Sequence, residues 1–346
     1  ALARVEHPYP ARRPELTADS SGGAAAAYVG AAQSGHDGAE LSDYDLVGSR
    51  TEGTGLFALE QAQSFDILYL PPPGKDIDTG PAAILAAEMF CRARRAMLIV
   101  DPHLAWASAG DAVRGVRELG YASPNMIGYY PPMRDRDGDD EVRPIGGAIA
   151  GLLCKQDRTV GPWGDLEQPG LGLQRQFVPG ATIGDEDAAL LKRAGLNVIT
   201  IGSAGRSRVT GSVTMARGFD VHRTFARLPV RRFCLRIISA IRDATKWSIF
   251  EQWDKNLARR VRAQVLAYFY SLSKLRAFAD SDFAVDCDAG VSKRSDRDEH
   301  GVTLMLRFRP VSSDEPVSLT LHLTASGCRV GSTAFGPQEF TYACNF

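Results

Sequence analysis

Few residues in this chain have types and spacing suited to chemistry. Asp78-Thr79-Gly80 spells the aspartic-protease triplet, but that reaction needs two carboxylates sharing one proton, and the triplet occurs once. Gly80-Pro81 reads instead as a helix start, because proline's fixed φ suits the first helical position. Asp101 and His103 follow the apolar run Ala96–Val100, where open α/β sheets place reactive groups. The competing reading of Asp101 is a cap on the turn into the next helix. Lys255, Arg259 and Arg262 fall at i, i+4 and i+7 with Arg260 between them. They form either a solvated helix face or a contact for an acidic partner surface, where charge sets register and orientation.

Other chemistries lack their motifs. Gly146-Gly147 and the segment 202–205 are glycine-rich, yet neither completes a dinucleotide fingerprint or a phosphate loop. The six histidines are scattered without metal-ligand spacing, and the cysteines at 91, 154, 234, 287, 328 and 344 contain no CxxC pair, so no zinc or redox motif and no cofactor is expected. Cys91, Cys154 and Cys234 lie in apolar periodic segments and read as small buried hydrophobes. A formal net charge of -1 gives no field favouring nucleic acid. With 44% hydrophobic and 23% charged residues the composition is that of a globular protein, and no apolar run is long enough to span a bilayer. The first residues, ALARVEHPYPARRPEL, are polar and proline-broken, unlike a secretory signal, so folding in a cytoplasm is expected.

The elements that must position these residues fall into two parts. Residues 1–23 read as an arm. From Asp66 the pattern alternates: strand-like Asp66–Leu70, helical Pro81–Arg95, strand Ala96–Val100, helical Ala109–Leu119, strand Asn125–Tyr130, helical Ile145–Lys155, helical Asp185–Ala194 closed by Gly195, then strands Asn197–Ile201 and Gly211–Met215. Such alternation predicts a mostly parallel sheet covered by helices, an α/β core over 24–226. Over 227–324 the class changes to α+β. Val230, Phe233, Cys234, Ile237, Ile238 and Ile241 mark one helix face, and Leu257, Val261, Val265, Tyr268, Leu272 and Leu275 mark another, with Asp254 as its N-cap. Strands follow at Phe283–Asp286, Val302–Phe308 and Val317–Thr324. The last alternates apolar and polar residues, and a terminal strand of that kind can pair with another copy of the chain. Residues 325–346 read as a C-terminal extension.

In order and spacing these segments resemble the contractile tail sheath proteins of bacteriophages, R-type bacteriocins and extracellular injection devices. The resemblance is clearest in LPVRRFCLRIISAIRDATKWSIFEQWD, where Arg231, Arg232, Trp247, Phe250 and Glu251 match the family's paired arginines, helix and Trp-x-x-Phe-Glu turn. GTGLFALE, DILYLPPP, AMLIVDPH and MIGYYPPM are similar to successive segments of the sheath core. In GGAIAGLLCKQDRTVGPWGDLE, Asp157, Arg158, Gly161 and Trp163 match a recurring turn. The match spans about residues 24–324. Residues 1–23 lack the family's Pro-Gly-Val-Tyr-like strand, and the chain runs on past the usual last strand.

The resemblance implies a non-enzymatic structural subunit. Copies would stack as six-fold rings around an inner tail tube, meet baseplate and tail terminator proteins, and contract to drive the tube through a host envelope. In a phage that stroke ejects the genome from a virion tail assembled in the bacterial cytoplasm; in the alternative it serves a bacteriocin or an injection device. Neither nucleic acid nor membrane insertion is implied. On this reading Val317, Leu319, Leu321 and Leu323 form a strand donated between subunits, Lys255, Arg259 and Arg262 face the tube, and Cys328 or Cys344 cross-links neighbours in an oxidising medium. A reading of another class is an α/β enzyme with its site near Asp101 or Asp66.

Overall fold

The computed structural model describes residues 40–331 apart from 75, 138–140, 169, 203–204, 217–222, 252–253, 281, 288–300 and 325–326. The expected arm over 1–23 and Cys344 lie outside the described residues.

Continuous apolar runs make the strands of the first sheet. β1 (Ile67–Tyr69), β2 (Met97–Val100) and β3 (Met126–Tyr130) are parallel and adjacent, and β7 (Leu196–Ile201) pairs parallel to β3. β8 (Ser207–Thr210) closes the far edge antiparallel to β7. The strand expected at Gly211–Met215 lies just before that position: the ladder ends at Thr210, and only isolated bridges at Val213 and Met215 follow.

Period-two alternation sends neighbouring side chains to opposite faces, and both faces are buried. Leu98, Val100, Met126, Tyr130 and Val198 pack against α2 (Pro81–Arg94), α3 (Ala109–Glu118) and α5 (Asp185–Ala194). Met97, Ile99, Ile127, Tyr129 and Ile199 pack on the other face with α4 (Gly146–Thr159) and α6 (Leu228–Thr245).

Local sequence sets the helix ends. Ser108 and Asp111 close a reciprocal capping box on α3. Gly195 ends α5 with φ +90°, and a Cβ there would also sit 2.9 Å from the Met215 Cα. The start of α2 has a cap from outside the element: Asp43, on the short α1 (Asp43–Val47), accepts from the backbone N–H groups of Gly80, Ala82 and Ala83 at 2.9, 3.1 and 3.2 Å.

A small antiparallel sheet of β4 (Met133–Asp135), β5 (Val142–Arg143) and β6 (Phe177–Pro179) sits in the connections. After α6, a 3-10 turn at Lys246–Phe250 leads into α7 (Lys255–Lys274), whose N-cap Asp254 accepts from Leu257 N. The second sheet is antiparallel, in the order β12 (Gly327–Gly331), β11 (Val317–Thr324), β10 (Val302–Phe308), β9 (Ala284–Asp286). Its inner face (Val302, Leu304, Leu306 and Phe308 with Val317, Leu319, Leu321 and Leu323) merges with the α6–α7 core. Residues after Glu40 form one compact unit, and one apolar cluster runs from β2 through α6 to the second sheet. Among the described residues no helix is long and apolar enough to cross a membrane.

Candidate assembly surfaces

Asp101, the leading candidate for chemistry, leaves β2 beside the start of α4. Its Oδ1 accepts from the backbone N–H groups of Ile145 and Gly146 at 2.9 and 2.7 Å, and its Oδ2 accepts from the Tyr69 hydroxyl at 2.6 Å. Burial raises its carboxyl above the ordinary aspartate range, opposed by these three hydrogen bonds. Gly146 is required for this arrangement, because a Cβ there would lie 2.1 Å from the Tyr69 ring. The capping reading therefore holds, with one correction. The helix capped is α4, 44 residues on, rather than the next one in sequence. Asp78 accepts from Leu104 N at 3.0 Å and from His103 Nδ1 at 2.6 Å, pinning the turn after β2. Gly80 is the N-cap of α2 and Pro81 its first residue, as the sequence predicts. Asp66 pairs across the surface with Arg236 at 3.3 Å.

The paired arginines enter the interior. Arg231, 2% exposed, donates from Nη2 to Asn125 Oδ1 at 2.6 Å, and Asn125 in turn donates to the Ala96 carbonyl at 2.8 Å. Arg232 donates to Asp157 at 2.6 Å. The two arginines tie α6 to the ends of β2 and β3 and to α4. The Asp157 match in the sequence thus corresponds to a direct contact.

The strand expected to be the last one is followed by another in this chain. Val317, Leu319, Leu321 and Leu323 belong to β11, which has β10 on one side and β12 on the other, with these four side chains in the chain's own core. The reason is the segment read as extension: residues 327–331 fold back as β12. The dipeptide Ser326-Gly327 after an alternating run is a hairpin signal that could have found it. The sheet's outer strands are β9 and β12. Arg95, at φ +59° after α2, donates to the Cys328 carbonyl on β12 at 2.9 Å and fastens that strand to the first sheet's end.

Cys328 is 4% exposed, and burial pushes its thiol pKa up against the opposing pull of Arg95 and Arg242. Within the single chain, burial and the raised pKa both disfavour its accessible thiolate form, the form that undergoes thiol exchange. Cys91, Cys234 and Cys287 are buried, while Cys154, expected inside, is exposed on α4.

The basic residues of α7 divide. Arg262 donates to the Val285 carbonyl at 2.7 Å, joining α7 to β9. Arg260 stacks over Trp247 at 4.4 Å and pairs with Glu251 at 2.7 Å. Lys255 and Arg259 are exposed, and among the described residues no carboxylate lies within salt-bridge distance of either. Nearby Phe250 is 83% exposed.

This architecture recurs in solved structures. A chain of the anti-feeding prophage baseplate, solved with six-fold symmetry, superimposes with TM-score 0.60 at 21% identity over 74% of this chain and 68% of that one. The fold is that of a contractile tail sheath protein. The anti-feeding prophage helical sheath in its contracted state matches with TM-score 0.59 at 22% identity, covering 74% and 69% of the two chains. The contracted sheath of PVC, an extracellular contractile injection system, matches with TM-score 0.56 at 19% identity, covering 83% and 73%. A sheath tail protein from Desulfitobacterium hafniense matches with TM-score 0.56 at 15% identity, and the chain spans 58% of its length. No protein-family model and no curated protein matches the sequence.

Proposed function

We propose that this chain is the sheath subunit of a contractile injection apparatus. The observation that carries the reading is the shared fold with two injection-device sheaths across about three quarters of the chain. The groups that first suggested catalysis are also committed to structure, with both oxygens of Asp101 accepting internal hydrogen bonds.

In this reading copies stack as rings of six around an inner tube, between a baseplate and a terminator. Contraction is a change between two packings of the same subunit. The free-energy difference is small for one copy and is multiplied over the whole sheath. Copies are joined by strand addition at the outer strands β9 and β12, where backbone hydrogen-bonding groups face away from the sheet. The β11–β12 hairpin, rather than β11 alone, is the unit suited to exchange. Lys255 and Arg259 face the tube, while Arg262 serves the fold. The similarity to injection-device sheaths favours that class of particle. In a phage tail the same stroke ejects a genome, and neighbouring genes for a capsid and terminase would assign the chain there.

Electron microscopy of the purified chain, and of particles containing it, tests the proposal. Tubes or stacked rings are expected. A monodisperse monomer or dimer that never polymerises and is missing from particles would overturn it.

A further inference from the structure

The two ends of the parallel sheet differ in polar character. At the carboxyl end Asp101 is spent on the start of α4. At the opposite end, where β1 and β2 begin, three arginines line one open crevice of about 260 Å³. They are Arg95, Arg232 and Arg236. Met97 and Leu235 supply apolar wall, and Asp66 is the one carboxylate in the lining.

The chain brings these cations together against local preference. Arg232 and Arg236 stand one turn apart on α6, where like charges repel. Arg95 holds φ +59°, in the left-handed region where helices usually end on glycine, and it is buried. Arg232 has a side chain only 4% exposed. Its Nη2 donates to Asp157, and among the described residues nothing accepts from its Nε or Nη1. A buried guanidinium with open donors is costly unless an acceptor reaches it. The Arg236–Asp66 contact is long, at 3.3 Å, and both side chains are more than half exposed. Such a pair contributes little and exchanges readily.

We infer that this crevice is an oxyanion site, which receives one carboxylate or phosphate group between Arg232 and Arg236 with Arg95 beside them. The planar guanidinium fork matches such groups two hydrogen bonds at a time. The space suits a single group, being smaller than the roughly 300–1,000 Å³ of pockets that enclose whole small molecules. The group belongs either to a free ion or to an acidic side chain of a second copy of the chain. The inference stands independently of the sheath reading.

The test titrates the unpolymerised chain with inorganic phosphate at constant ionic strength set by chloride. Melting temperature and calorimetry read the binding. Wild type should show a saturable rise in melting temperature. Arg236→Gln should bind phosphate about tenfold less tightly, the loss of one charge-assisted contact. Asp66→Asn should bind it several-fold more tightly, because the change frees Arg236 and removes a competing carboxylate. Arg259→Gln, exposed on α7, should match wild type. If Arg236 and Asp66 form only a structural pair, neither change alters phosphate affinity, and that result would overturn the inference. So would the absence of saturable binding, or an equal response in all four proteins, which marks an adventitious ion only. The source of the group is read from assembled material. Phosphate that binds the isolated chain, slows its assembly and is excluded from the polymer supports the site as the seat of a second copy's carboxylate. Equal binding before and after assembly supports it as a site for a free ion.

Discussion

Two consecutive helices of similar length have opposite fates. α6 buries twelve of its eighteen residues, including Arg231 and Arg232, whereas α7 buries six of its twenty. α6 lies between the parallel sheet and the antiparallel one, so most of it is covered, and Arg231 and Arg232 find their partners inside. α7 covers the second core with one stripe and leaves a basic face outside. The difference teaches where this molecule holds itself together and where it can meet others. Arg231 and Arg232 of α6 are part of the fold, whereas Lys255 and Arg259 of α7 stand exposed.

Several measurements can break or sharpen that division. The largest effect is expected at Phe233 on α6, whose ring meets Trp163 at 5.3 Å and Phe308 at 5.8 Å. Phe233→Ala should cost about 3–5 kcal/mol in urea denaturation, and a loss below about 1 kcal/mol would deny α6 its central role. Next is the Arg232–Asp157 pair, with the arginine side chain 4% exposed. Asp157→Ala strands that charge and should cost about 3 kcal/mol, while the double change Arg232→Met with Asp157→Leu should recover most of the loss. Additive single effects in that cycle would show that the two residues do not interact.

Asp101 provides a smaller and pH-dependent effect. Asp101→Ala removes the cap on α4 and should cost about 1–2 kcal/mol, whereas Asp101→Asn keeps an acceptor and should stay within about 1 kcal/mol of wild type near neutral pH. Because burial raises the folded-state pKa, the folded protein binds the proton more tightly than the unfolded chain. The carboxyl's contribution is therefore fully present below its ordinary value of 3.8 and is lost as pH rises through the folded pKa. Wild type should gain stability relative to Asp101→Asn on acidification through that window. A flat difference between pH 3 and pH 7 would contradict the assignment.

Reversing Lys255 and Arg259 together should shift stability by no more than about 0.5 kcal/mol while weakening tube attachment. A large stability loss would move these residues into the fold. The smallest perturbation is thiol labelling of the native protein. Cys154 should react within minutes and Cys328 only on unfolding, as peptide mass mapping would show.

Much of this was legible in the sequence because periodicity reports burial. The 3.6-residue spacing of Val230 to Ile241 and the alternation in Val317–Thr324 predict their elements closely. What was not legible depended on contacts between distant residues. Asp43 caps α2 from 37 positions away, and Asp101 serves α4 across 44. No local pattern announces either. The misplacement of β11 at the edge came from a five-residue strand that is short and glycine-flanked. Cys154 looked buried because its neighbours Leu152 and Leu153 are apolar, but it projects from the outer side of α4. For the candidate surface, the basic spacing on α7 was visible, while the exposure of Phe250 in an apolar-looking turn was not.

The pairing of β12 has a mechanical consequence. It runs antiparallel to β11, with Gly331 opposite Thr320 and Gly327 opposite Thr324. Tension applied at the Gly331 end would load its hydrogen bonds one rung at a time, as a zipper opens, instead of shearing them all together. The Arg95 bond to the Cys328 carbonyl sits near the turn, so it would be among the last to feel the load.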